Sequence, residues 1–181
     1  HSPPRYLWEM EDVYFSSGSF RGIKKSLFGV FASSLRKYDK NAAKGVTHFI
    51  ANSQFVAGRI KKYYGRDATV IHPPVELENF NFSPVKKNFF LVVSEMVPYK
   101  RIDLVLSAFS KIPDQLIVVG GGPEDKNLRA MASSNVTFVG RLDLKELVRY
   151  YSEARALIFP GIEDFGITPI EAQASGTPVI A

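Results

Sequence analysis

Apolar positions fall into two different rhythms along this chain. Between 21 and 40, Ile23, Leu27, Phe31, Leu35 and Tyr38 recur at helical spacing, with Lys24, Lys25, Arg36, Lys37 and Lys40 elsewhere on the wheel. That pattern predicts a basic amphipathic helix with its aromatics on the buried seam and a kink near Gly29. Val46 to Ala51 reads as a strand. Ser53 caps a helix over 54–64, Gly65 closes it, and 68–71 is a short strand ended by His72-Pro73-Pro74. Periodicity is lost over 76–88, which predicts a linker or domain boundary.

Beyond that stretch the rhythm becomes a regular alternation. Strands are expected near 89–94, 115–119, 136–139, 156–159 and 178–181, with helices near 100–111, 124–132, 143–153 and 168–175. Repeated βα units with apolar strands predict an α/β fold, a doubly wound parallel sheet of Rossmann type.

Composition adds a few bounds. With 181 residues, 45% hydrophobic and 23% charged, the chain can bury one good core or two small ones. No apolar run approaches the eighteen or so residues of a membrane span. Cysteine is absent, which excludes disulfides and thiolate metal sites and fits a reducing compartment. The chain starts at His1 and ends on Val179-Ile180-Ala181, so the natural protein is expected to continue at both ends, with any targeting signal out of view.

Charge is unevenly spread. Residues 21–66 hold eleven Lys and Arg against a single acid, Asp39, whereas 67–181 hold eleven basic and fourteen acidic residues. A basic face of this kind meets phosphates, anionic lipid or nucleic acid, or is simply a solvated helix surface. Nucleic acid is not expected, because bases need exposed aromatics among the cations.

In open parallel sheets ligands lie beyond the carboxyl ends of the strands, and four such loops carry candidate chemistry. After the first strand, Lys100 and Arg101 are expected in the opening turn of a helix. There the macrodipole disfavours cations unless an anion joins them. After the second, Gly120-Gly121-Gly122 permits close backbone approach, although the spacing matches neither a dinucleotide fingerprint nor a P-loop. Gly140-Arg141-Leu142 offers a backbone edge to a base. After the fourth, Thr168, Pro169 and Glu171 match N-cap, N1 and N3 of a helix, so Glu171 is either half of a capping box or a carboxylate for a diol such as ribose. Glu163 can accept from sugar hydroxyls, and the amides of Phe165, Gly166 and Ile167 suit a diphosphate.

Glu163 to Glu171 carries the Glu-x7-Glu motif, in an Asp-Phe-Gly-Ile-Thr-Pro-Ile-Glu setting, and so resembles the family 4 glycosyltransferases. Val97 to Leu104, Ala51 to Ala57 and His1 to Trp8 are similar to further segments of that family, notably its bacterial mannosyltransferase-like branch. The resemblance covers essentially the whole chain. It implies the two-domain GT-B architecture: 1–82 as the tail of the N-terminal, acceptor-side domain, and 83–181 as most of the C-terminal nucleotide-sugar domain.

It further implies a retaining, metal-independent hexosyltransferase with no cofactor, moving a hexose such as mannose from a GDP- or UDP-sugar. The acceptor would be a saccharide or a lipid-linked glycan of polysaccharide or O-antigen type. Glu163, His1 and Lys100 would be catalytic. Glu171, Phe165, Gly166, Ile167, Thr168, Gly121, Gly122, Arg101, Arg141 and Leu142 would bind the donor. One departure stands out. Many relatives carry an arginine five residues before the lysine, and this chain has Glu95 there. Arg101 or the glycine-rich loop must then supply the second diphosphate donor, and Glu95 is expected to turn away or pair with a cation. The implied location is cytoplasmic and peripheral at the inner face of the cell membrane, held there by residues 21–40. Two other readings are a GT-B sugar-nucleotide epimerase and a nucleotide-sugar-binding module without turnover. The fragment alone is expected to be inactive.

Overall fold

A computed structural model describes residues 2–10 and 23–181, with side chains omitted for 23–30. The chain divides into two compact units, His1–Pro73 and Pro74–Ala181.

In the first unit, helix α1 (Arg5–Trp8) is a single turn and helix α2 (Ile23–Lys44) runs without interruption through Gly29. Strands β1 (Phe49–Ala51) and β2 (Ala68–Val70) pair in parallel across helix α3 (Gln54–Tyr64). Both signals read for α3 are realised. Ser53 Oγ accepts from the Val56 amide, and Gly65 closes the helix in the left-handed region at φ 69°. Ala51, Val56 and Ile60 form a small apolar core.

Helix α2 differs from expectation. Phe31, Leu35 and Tyr38, read as its buried seam, are exposed, at 59%, 42% and 75%. The packed stripe is Ala32, Arg36, Asp39 and Ala43, one residue further round the wheel. Ala32 and Ala43 are buried, Arg36 Nε donates to the Leu7 carbonyl, and Asp39 Oδ2 accepts from Trp8 Nε1 and the Tyr64 hydroxyl. Polar bonds, not large apolar side chains, choose this face. Buried aromatics therefore no longer speak against nucleic-acid binding at this helix.

The second unit is a five-stranded, all-parallel sheet. Its strands are β3 (Phe89–Val93), β4 (Gln115–Val119), β5 (Val136–Gly140), β6 (Ala156–Ile158) and β7 (Val179–Ile180), in spatial order β5-β4-β3-β6-β7. Helices α4 (Ile102–Phe109), α5 (Asp125–Met131), α6 (Leu144–Glu153) and α7 (Ile167–Ala174) connect them. The pleat sorts side chains by alternation. Val92, Leu116 and Val118 join Val105, Leu106 and Leu128 on one face, while Phe89, Leu91 and Val119 join Tyr151, Leu157 and Ala172 on the other. Both faces are covered, as the apolar strands predicted.

The stretch 76–88, expected as a linker, belongs to this second unit. Phe80 is buried edge-on against Tyr151, and Lys86 Nζ donates to the Ser152 and Ser175 carbonyls and to Thr177 Oγ1. A belt fixed by one aromatic and one ammonium has no periodicity to read. The division between compact units accordingly falls at Pro73–Pro74, ahead of the expected 82.

Candidate functional site

Strand order reverses between β3 and β6, so the loops that follow them leave in opposite directions and open a crevice at the carboxyl edge of the sheet. Both loops come together there. Lys100 closes a 3-10 turn, Pro98–Lys100, and its ammonium forms an ion pair with Glu163 from the loop after β6. Both side chains are largely shielded, at 18% and 25% exposure. A Cβ on Gly161 would lie 3.2 Å from Lys100 Cα, so the smallest residue lets the loops approach.

Lys100 and Arg101 were expected inside the first helical turn, and they lie just before it. Arg101 sits at φ 53° as the residue preceding α4, and its guanidinium is bound to Asp103, Nε to Oδ1 at 3.1 Å. That bond raises its pKa further. Arg101 thus has a partner at an exposed position.

A cavity of about 480 Å³ opens along the same edge, lined by Val93, Ser94, Glu95, Val119, Gly120, Gly121, Arg141 and Thr168. Glu95 is exposed at its rim, and no ion pair to it is found among the described residues. Arg141 lies over Gly121, whose added Cβ would come 3.7 Å from Arg141 Nε, and so brings a cation to the cavity that Glu95 also faces. The glycines divide by role. Gly120 has φ 130° and a Cβ there would lie 1.9 Å from the Ser94 carbonyl oxygen; at Gly122 it would meet the Met96 carbonyl at 2.6 Å. These two serve close packing of loop on loop, with Met96 N donating to Gly121 O at 3.1 Å, and Gly122 does not line the cavity. Leu142 packs into the core beneath.

The capping-box reading of Glu171 fails. Helix α7 begins at Ile167 after Gly166 (φ 86°), so Thr168 is its second residue and Glu171 its fifth, beyond the amides a capping carboxylate would reach. Pro169 at the third position brings no N–H. The amides of Gly166, Ile167 and Thr168 meet no acceptor among the described residues. Glu171 Oε2 instead accepts from the Tyr151 hydroxyl at 2.8 Å. Burial, then the Glu171 charge, raises the Tyr151 pKa far above the tyrosine range, so the phenol stays a donor. Tyr151 was absent from the sequence reading. The available signal was a tyrosine on the inward face of the amphipathic stretch 143–153, where a hydroxyl needs a partner.

Known proteins bear on this geometry. A family model described as Glycosyl transferases group 1 matches residues 75–181. The chain belongs to that family. Every expected site residue except His1, which lies outside the described residues, falls within the matched span. Among curated proteins the chain is 34% identical to the O-antigen chain mannosyltransferase RfbU of Salmonella typhimurium, over 78% of this chain and 43% of that protein. It is 31% identical to a D-inositol 3-phosphate glycosyltransferase of Mycobacterium sp. (strain KMS), over 73% and 36% respectively. The chain thus spans less than half the length of these relatives.

Solved glycosyltransferases share the fold. Sucrose-phosphate synthase from Thermosynechococcus elongatus superposes with a TM-score of 0.73 at 24% identity, over 96% of this chain and 48% of that one. Anabaena Alr3699/HepE, solved with UDP and glucose, gives 0.70 at 20% identity, over 80% and 48%. The chain is a GT-B type α/β protein with Rossmann-like parallel sheets.

Proposed function

We propose that this chain supplies the donor-binding part of a retaining hexosyltransferase that uses a UDP- or GDP-linked sugar. What carries the reading is the crevice between β3 and β6, where Lys100 meets Glu163 and where α7, the helix that carries Glu171, begins with Thr168 in the cavity wall. Lys100 and Glu163 neutralise each other in this structure. A donor exchanges those partners: its diphosphate takes the Lys100 ammonium and the α7 amides, and Glu163 turns to the hydroxyls of the transferred sugar. Glu171 takes the ribose diol. Arg141, which lines the cavity with Glu95, serves as the second cation.

Transfer then needs neither metal nor cofactor. The acceptor oxygen attacks the anomeric carbon on the face the diphosphate leaves, the sugar–phosphate bond breaks, and the acceptor proton passes to the departing phosphate oxygen. Lys100 and the helix N-terminus stabilise the charge that develops there. His1 remains the proposed catalytic histidine of the acceptor-side unit, His1–Pro73. The O-antigen chain relative is a mannosyltransferase, which supports mannose as the hexose here, with a saccharide or lipid-linked glycan as the proposed acceptor.

The test is product analysis with a protein as long as the relatives, offered GDP-mannose or UDP-hexose and a lipid-linked saccharide. An axial or equatorial anomeric proton matching the donor's supports retention; inversion, or epimerised donor without transfer, defeats the reading.

No helix among the described residues is long and apolar enough to cross a membrane. Exposed Phe31, Leu35 and Tyr38 on α2, beside Lys37, Lys40 and Lys44, support peripheral attachment at an anionic cytoplasmic membrane face. Cosedimentation with anionic vesicles that is lost in high salt is the expected result, and equal recovery with neutral vesicles would remove this part.

A further inference from the structure

We propose that Tyr151 is a positioning residue, fixing the Glu171 carboxylate in the orientation that receives a ribose diol; this rests on the donor-site reading above. Glu171 is the fifth residue of α7, so no amide of the helix start reaches its carboxylate. A glutamate with free rotamers must be ordered by each ligand it meets, and that ordering weakens binding. Tyr151 removes the freedom in advance, taking Oε2 at 2.8 Å. Among the described residues no donor is found for Oε1, and Oε2 keeps a second lone pair, so the carboxylate can still accept from two vicinal hydroxyls.

The phenol is itself held from several sides. Tyr151 is fully buried, its ring is edge-on to Phe80 at 6.0 Å, and its carbonyl accepts from Thr177 Oγ1, which Lys86 also binds. Thr168 lines the cavity. Thr168 and Glu171, three residues apart, share a helix face. The tyrosine thus holds a carboxylate one turn along the helix from a residue of the cavity wall. A buried tyrosine needs only some acceptor. That it takes a half-buried carboxylate, on the helix whose second residue lines the cavity, is what a merely structural role leaves unexplained.

Calorimetry on this chain with UDP and GDP, each against its 2′,3′-dideoxy counterpart, isolates the diol. The wild type should prefer the ribonucleotide of at least one pair, and Tyr151→Phe should narrow that preference about fivefold with little change in dideoxynucleotide affinity. In Glu171→Gln, adding Tyr151→Phe should change nothing further. A preference retained by Tyr151→Phe overturns the positioning role while the donor-site reading stands. A wild type that binds neither nucleotide, or ignores the diol, overturns both. Should Tyr151→Phe fail to fold, 3-fluorotyrosine at position 151 gives a second readout. Its ¹⁹F resonance should move with the ribonucleotide and not with the dideoxy form; an unmoved signal, or equal shifts, overturns the proposal.

Discussion

Each unit of this protein contains a carboxylate that accepts from a partly or fully buried tyrosine, and the two pairs do different things. In the first unit Asp39 Oδ2 receives both Trp8 Nε1 at 2.8 Å and the Tyr64 hydroxyl at 2.9 Å. That one oxygen ties together α1, α2 and α3. In the second unit Glu171 receives only Tyr151 among the described residues, and it lies in α7, the helix that begins at the carboxyl edge of the parallel sheet. The chemistry is nearly the same, and the place in the fold decides the role. A joint between segments spends its carboxylate on the protein. A site keeps acceptor capacity in reserve.

The contrast can be broken in several ways. Asp39→Ala should act on stability alone, costing about 2–4 kcal/mol by stranding two partly buried donors. Denaturant unfolding reads that loss, and nucleotide affinity should not move. Lys100→Met should do the reverse, weakening UDP or GDP binding about 30- to 100-fold by calorimetry with a small change in melting temperature. Gly161→Ala is a milder probe of the same crevice. Its Cβ would press on Lys100 Cα at 3.2 Å, so the loops must shift and affinity should fall about threefold.

The smallest effect is one of pH. Burial, ahead of the neighbouring carboxylate, raises the pKa of both Tyr64 and Tyr151 above the ordinary tyrosine value of 10.0. A raised folded-state pKa gives stability that is present below pH 10 and lost as pH rises through the folded value, because the unfolded chain ionises first. Unfolding midpoints should therefore fall above pH 10. Tyr151→Phe should flatten that fall more than Tyr64→Phe, since Tyr151 is the more buried.

Much of the second unit was legible because its strands are buried on both faces and its helices are amphipathic. Those two patterns are what periodicity reads best. The Glu163 to Glu171 motif and Lys100 were visible as sequence. Their pairing was not, since strand order brings them together and no spacing rule states it. The helix α7 start was misread because Thr168-Pro169-Ile170-Glu171 imitates a capping box, while Gly166 in the left-handed region starts the helix two residues earlier than its N-cap would. Helix α2 misled for a related reason. Phe31, Leu35 and Tyr38 form the more apolar stripe, but Asp39 and Arg36 have partners in α1 and α3 that only the tertiary fold reveals. Tyr151 escaped because a tyrosine among core residues looks like packing until its hydroxyl is traced.

The central claim is that Glu171 belongs to a nucleotide site and not to the framework of α7. Calorimetric titration of the chain with UDP-glucose and GDP-mannose, repeated with Glu171→Gln and paired with a melting curve, tests it most directly. One of the two donors should bind the wild type, and Glu171→Gln should weaken it about tenfold while the midpoint stays within about 2 °C. Unchanged affinity together with a midpoint lowered by many degrees would make Glu171 a structural partner of Tyr151, and would contradict the account.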